Sequence, residues 1–403
     1  MKKKKKLKIG LFSSSFLPSV GGVEVGLHNI AMFLKEKGHV PTVITAFSHA
    51  NKIKSKKIKL PYKVIGYPPK VFSIMKILPS FSGRFLDFFY TYLHRKYRFD
   101  FWHATFIYPI GISIINFCNK KNINYLIRGV GEDIQIDKKL NYGMRLDKEI
   151  NNIIVKKLSL AKNLVAVSKS IKIEYKKLNI PKNKILDIPN GINLKRITKF
   201  KHKKELRDEL GIKKSSIVFL SIGRFHPKKN FELIIKAINN LKHKNLNLKV
   251  LIAGVGVKNL NYLLEKYSLE KYIILYEPQY DFTDKKKIDL NFPSEEILSL
   301  YKLSNVFIMP SIIESFGIVT VEAMGFGLPI IINNSPGSRD VVRNGKDAFL
   351  FDGKIKSLQT AIENFYKKKS LRKKYANKSI IRSKDFDWSN VVDRYIRIYR
   401  RKT

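Results

Sequence analysis

Short, continuously apolar runs, each closed by a glycine or proline turn and followed by a helical stretch, leave this chain few folds to choose from. Val306–Met309 ends in Pro310, and the next such run is Pro329-Ile330-Ile331-Ile332. Strands apolar on every residue are buried on both faces, as in parallel sheets. Between them lies Glu314-Ser315-Phe316-Gly317-Ile318-Val319-Thr320-Val321-Glu322. The segment reads as a loop running into a helix, with Glu314 in the loop and Glu322 two turns into the helix. Ligands of such sheets sit at the carboxyl ends of the strands. Gly317 lets the backbone approach a ligand, and the amides that open the helix attract a diphosphate. Spacing alone leaves a second reading open, in which Glu314 favours the helix dipole and Glu322 is merely solvated.

The same strand-then-helix pattern recurs at 7–12, 41–45, 164–167, Ile217–Ile222 and Leu248–Ala253. A chain of 403 residues is too long for one ordinary core, so two α/β Rossmann-like domains are expected. Asn-Gly turns are tight, and Ile188-Pro189-Asn190-Gly191 supplies the best boundary signal. Gly21-Gly22 opens the first helix without a dinucleotide fingerprint, because Gly-x-Gly-x-x-Gly is absent there. In the second half, Gly223-Arg224 follows a strand, and Lys229 comes five residues beyond the arginine. A planar fork and a point charge at that spacing suit a diphosphate.

The Glu314 to Glu322 block resembles the Glu-x7-Glu signature of retaining family-4 glycosyltransferases. Gly21-Gly22-Val23-Glu24, Pro189-Asn190-Gly191 and Gly223-Arg224 with Lys229 are similar to further motifs of that family, in its order. The resemblance covers essentially the whole chain. It implies the GT-B fold, two doubly wound Rossmann-like domains facing each other across a cleft. Residues 1–190 would form the acceptor-side domain, completed by a returning helix at 388–403, and 191–387 the donor domain, with a hinge at Asn190-Gly191. It further implies that Glu314 contacts the donor sugar and Glu322 the nucleotide ribose, while Arg224 and Lys229 hold the diphosphate. Gly21, Gly22, Gly223, Ser315, Phe316, Gly317 and Ile318 would line the donor, with His103, Arg128, Glu132 and Asp133 on the acceptor or sugar side. His103 ends a strand in this reading. Val130 stands where many relatives carry a histidine beside the donor sugar. No cofactor and no metal are expected, the nucleotide-sugar being a substrate. Asp385-Phe386-Asp387 matches a metal-binding motif of another fold and is read instead as a helix cap.

Lys and Arg number 78 against 32 acids, a net charge of +46. Such a balance calls for anionic partners. Nucleic acid, an anionic membrane and phosphorylated substrates all qualify; without a binding module, nucleic acid is the least favoured and is not expected as a partner. The segment 81–101 carries Phe85, Phe88, Phe89 and Tyr92 at helical spacing among Arg84, Arg95, Lys96 and Arg98. That stripe is either domain core or a helix lying at a headgroup boundary. A basic start without a long apolar run, no apolar stretch of spanning length and a single cysteine, Cys118, fit a cytoplasmic protein held peripherally at the inner face of a membrane. The charged segment 279–291 reads as an inserted loop. The expected activity is sugar transfer from a UDP- or GDP-sugar to a glycan or lipid-linked acceptor; the alternatives are a sugar-nucleotide-binding protein with little activity and a basic nucleic-acid-binding protein.

Overall fold

The computed structural model describes residues 5–71, 79–201, 205–278 and 290–401. The first four residues of the basic start, 202–204 of the lysine-rich stretch and 279–289 of the inserted segment lie outside the described residues. The chain divides into two compact units, one of residues up to Asn190 together with those from Trp388 onward, the other running from Gly191 to Asp387.

In unit one the strands are β1 (Lys8–Ser13), β2 (Val40–Thr45), β3 (Lys63–Gly66), β4 (Phe101–Thr105), β5 (Tyr125–Arg128), β6 (Leu164–Ala166) and β7 (Ile185–Asp187). They form one sheet in the order β3-β2-β1-β4-β5-β6-β7. Every neighbouring pair is parallel. β1 beyond Lys8 and the whole of β4 are buried on both faces, as inner strands of a parallel sheet are. Phe12 stacks on Trp102 with ring centroids 4.4 Å apart. Helix α1 (Gly22–Glu36) follows β1 and buries Leu27, Ile30, Ala31 and Leu34.

Helix α2 (Pro79–Tyr97) separates the aromatic stripe into two faces. Leu86, Tyr90 and Leu93 turn inward and Phe89 lies against Tyr67, whereas Phe85, Phe88 and Tyr92 are exposed, Phe88 by 74%. Arg84, Arg95 and Lys96 share that outer side. Most of the stripe is therefore not core; Leu86, Tyr90 and Leu93, interleaved with it, take the buried face instead.

Unit two holds β8 (Ile217–Ile222), β9 (Leu248–Ala253), β10 (Ile273–Tyr276), β11 (Val306–Met309), β12 (Ile330–Asn333) and β13 (Phe349–Phe351), ordered β10-β9-β8-β11-β12-β13, again parallel throughout. Three helices matter for the site: α3 (Leu194–Lys199), α4 (Glu295–Leu303) and α5 (Ile318–Gly325). Both sheets reverse winding direction between their first and fourth strands in sequence, at β1/β4 and β8/β11. In open parallel sheets the crevice at that reversal is where ligands bind.

The final helix, α6 (Trp388–Tyr399), belongs to unit one. Tyr399 bonds His103 across 2.7 Å, and Lys37 pairs with Asp393 at 3.0 Å.

Candidate active site

At the reversal of unit two, the turn after β8 and the loop after β11 face one another. Gly223 follows β8, and a Cβ there would come within 3.0 Å of the Lys229 side chain. The glycine thus leaves the lysine room to fold back toward the strand end. Gly254 supports this turn from behind: at φ +146° its Cβ would lie 2.0 Å from the Gly223 oxygen. Arg224 is exposed at the same turn. The two segments are stitched by a hydrogen bond from the Ile312 amide to the Lys228 oxygen, 2.8 Å.

Lys229 donates from Nζ to Oε1 of Glu314 across 2.6 Å, and both side chains are largely buried. Burial pushes the Glu314 carboxyl up. The Lys229 and Lys228 charges, with hydrogen bonds from Lys229 and Ser311, outweigh it and hold the group below the ordinary glutamate value. Glu314 is therefore ionised at neutral pH. Its backbone is held as firmly as its side chain, since the amide donates to Pro336 O at 2.9 Å and Gly337 packs directly on it. The Asn333 amide and Ser335 hydroxyl both donate to Ser311 O, at 3.0 and 2.6 Å, and so anchor the loop to β12.

Gly317 adopts φ +81° and caps α5 without a side-chain bond. The helix starts only at Ile318, so Glu322 sits one turn in rather than two. It is not solvated either: both glutamates are 7% exposed. Tyr301 from α4 donates to Glu322 Oε2 at 2.8 Å. Burial raises the Glu322 carboxyl to about 7 against the pull of that bond and of Arg196. Two carboxylates in one motif therefore differ in charge: Glu314 beside a lysine is anionic, and Glu322 near neutrality is half protonated. Ser315 and Ile318 are half-buried, while Phe316 turns inward with its ring against Phe386. Phe316 can reach a ligand only through its backbone.

In unit one the expected residues divide sharply. Gly21 precedes α1 in an extended conformation and Gly22 is its first residue, with Glu24 folded back to accept from Ser15 Oγ. His103 does not end a strand. It lies mid-strand opposite Leu11, fully buried, because the alternation of β4 points it at Tyr399. Burial, then Arg128, pushes its imidazole well below the usual range. Arg128 is 1% exposed and donates to Asn190 Oδ1, while its Nε and Nη1 find no partner among the described residues. Asp133 accepts from the amides of Ile107, Val130 and Gly131 at 2.7, 2.9 and 3.0 Å and so shapes the loop after β5. Of the four residues, Glu132 alone presents its carboxylate to solvent.

Asp385 pairs with Arg382 at 2.7 Å and Asp387 immediately precedes α6. Among the described residues no group of three or more His, Cys, Asp or Glu is placed to hold a metal ion. Tyr301, Ser311, Gly254 and Gly337 were not singled out from sequence for these roles. Gly254 and Gly337, each in a turn after an apolar run, carried a local signal; Tyr301 and Ser311 carried none.

A family model described as glycosyl transferases group 1 matches residues 202–382, and one described as glycosyltransferase family 4 matches residues 20–196. The chain belongs to glycosyltransferase family 4. The Escherichia coli UDP-Gal:alpha-D-GlcNAc-diphosphoundecaprenol alpha-1,3-galactosyltransferase is 32% identical over 178 residues, 44% of this chain and 43% of that protein. The chain thus matches less than half the length of that relative. Alpha-monoglucosyldiacylglycerol synthase of Acholeplasma laidlawii is 25% identical over 367 residues, 86% of this chain and 85% of its own. Anabaena Alr3699/HepE, solved in complex with UDP and glucose, superposes with TM-score 0.73 at 18% identity over 97% of this chain and 98% of its own. That likeness bears on fold alone. The fold of this family-4 glycosyltransferase is GT-B.

Proposed function

We propose that this family-4 glycosyltransferase is a retaining enzyme that moves a sugar from a UDP- or GDP-sugar to a lipid-linked or glycan acceptor at a membrane surface. The observation that carries the reading is the buried Lys229–Glu314 pair at the β8/β11 reversal, with Glu322 one turn into the adjoining helix. A departing nucleoside diphosphate gathers charge on its terminal phosphate. Lys229, Arg224 and the amides that open α5 are the groups to receive that charge, which is electrostatic stabilisation of the transition state. Cations placed this way make a metal unnecessary in the proposal. Glu314, kept ionised, accepts from hydroxyls of the donor sugar, and Glu322 from those of the ribose. On the acceptor side, Glu132 is the candidate side chain.

The lipid-linked acceptor draws support from the relatives named above, one acting on a diphosphoundecaprenol-linked sugar and the other a diacylglycerol glycolipid synthase. The outer face of α2 fits the same reading. Exposed Phe85, Phe88 and Tyr92 beside Arg84, Arg95 and Lys96 combine apolar insertion with attraction to anionic headgroups. No helix among the described residues is long and apolar enough to cross a membrane.

The test is nucleoside diphosphate release from a panel of UDP- and GDP-sugars, with and without a membrane lipid extract, followed by the anomeric configuration of the product. Release that needs one donor, rises with the extract and retains the anomer is expected. Saturable donor binding without release under any condition would replace the transferase with a binding protein.

A further inference from the structure

Tyr301 is fully buried in α4, and its ring stacks on Phe326 with centroids 5.4 Å apart. Its hydroxyl has one proton, and Glu322 Oε2 at 2.8 Å and Val319 O at 3.2 Å both lie within reach as acceptors. With Glu322 ionised, the stronger acceptor is the carboxylate; with Glu322 protonated, the hydroxyl can turn to the Val319 carbonyl and accept the carboxyl proton instead. The charge state of Glu322 and the orientation of Tyr301 are therefore one switch. We propose that Tyr301 is a positioning residue of the donor site: it holds one oxygen of Glu322 so that the other meets the vicinal hydroxyls of the donor ribose, and it couples donor binding to release of one proton from Glu322 to solvent. This rests on the donor-site reading above.

Two observations and one chemical argument support the coupling. Glu322 is buried one turn into a helix that begins shortly after Glu314 in the chain, so a ribose hydroxyl bonds to it in a dry setting where ionisation is costly. The groups acting on it are Tyr301 from α4 and Arg196 from α3, both of which favour the charged form without overcoming burial. A carboxylate also accepts two donors on one side, whereas a carboxylic acid keeps an O–H that must itself be satisfied. Ribose binding thus selects the ionised form.

The experiment is isothermal calorimetry of UDP-glucose, UDP-galactose and GDP-mannose from pH 6 to 8.5; their diphosphate diesters do not titrate in this window. Wild-type protein should bind its donor about tenfold more tightly at pH 8 than at pH 6. At pH 7 its binding heat should depend on the ionisation heat of the buffer, as release of about half a proton requires. Tyr301→Phe should move the midpoint upward, weakening binding about tenfold at pH 7 and less at pH 8.5. Glu322→Gln should flatten the profile, and Phe326→Leu, which disturbs the ring stack and spares the hydroxyl, should leave the midpoint in place. A flat wild-type profile with no buffer dependence, or a Tyr301→Phe midpoint equal to wild type, overturns the proposal while donor binding stands. If no sugar nucleotide binds saturably, the donor-site reading falls and the proposal falls with it.

Discussion

Replacing Gly337 by alanine should disable the enzyme through Glu314 without touching any side chain of the site. Gly337 has φ +78°, and an added Cβ would lie 1.7 Å from the Glu314 carbonyl oxygen and 2.4 Å from its carbon. Real Cβ atoms do not approach below 3.0 Å, so the two segments must part by at least 3.0 − 1.7 = 1.3 Å. The atoms displaced are backbone, which cannot swing aside. The Glu314 amide bond to Pro336 O would be lost, about 1 kcal/mol, and the left-handed conformation costs an alanine about 1–2 kcal/mol. Together that is about 2–3 kcal/mol, or a fall in Tm of about 5–10 °C. A displacement of this size at the group proposed to meet the donor sugar should lower kcat about 100-fold. Gly345→Ala is the control: its φ is +70°, yet an added Cβ meets nothing within 4 Å. It should lose about 1–2 kcal/mol and no kcat. The measurements are thermal unfolding and steady-state nucleoside diphosphate release for both variants. Wild-type kcat in Gly337→Ala, or equal effects of the two substitutions, would refute the argument that Gly337 positions Glu314.

Lys229→Met should remove the direct ion-pair partner of buried Glu314 and leave it only the Lys228 charge and the Ser311 hydroxyl, costing about 3–5 kcal/mol at pH 7. Because the lysine lowers the Glu314 carboxyl in the folded protein, that stabilisation is present above the ordinary glutamate value and fades as pH falls through the lowered one; unfolding titrations should show the deficit shrinking in acid. Glu322 carries the opposite sign. Its folded value of about 7 against 4.5 unfolded means its contribution is greatest below 4.5 and is lost as pH rises to 7, so Glu322→Gln should gain up to about 3 kcal/mol at pH 8 in denaturant titrations. Glu314→Gln should depress kcat with little change in donor affinity, and Glu322→Gln should do the reverse; wild-type kinetics in both would remove the site assignment. Phe88→Ser with Arg95→Gln should weaken sedimentation with anionic vesicles and leave soluble turnover alone, and binding that ignores both the substitutions and salt would sink the electrostatic docking of α2.

Much of this was legible in the chain. β8, β9 and β11 have the bounds their apolar runs predict, because a strand buried on both faces advertises itself residue by residue. Gly317 at the start of α5 was legible for a similar reason, since few residues other than glycine tolerate its backbone angles. His103 was misread as a strand end because the run 100–104 carries no stop signal of its own; Thr105 continues the strand through its pairing with Ser13 and Arg128. The aromatic stripe at 85–92 was ambiguous because helical spacing says which residues share a face and nothing about which face is covered.

By itself, then, the sequence determined the alternation of strands and helices, the two-unit organisation and the positions of the chemistry-bearing turns, all consequences of short-range sterics and apolar patterning. Tertiary structure decided the electrical state of the site. Lys229 and Glu314 are 85 residues apart in the chain and 2.6 Å apart in the fold, and Tyr301 reaches Glu322 from a different helix. Whether a carboxyl is ionised depends on the water removed from it and on the charge set beside it, and both are supplied by segments that its neighbours in sequence do not specify.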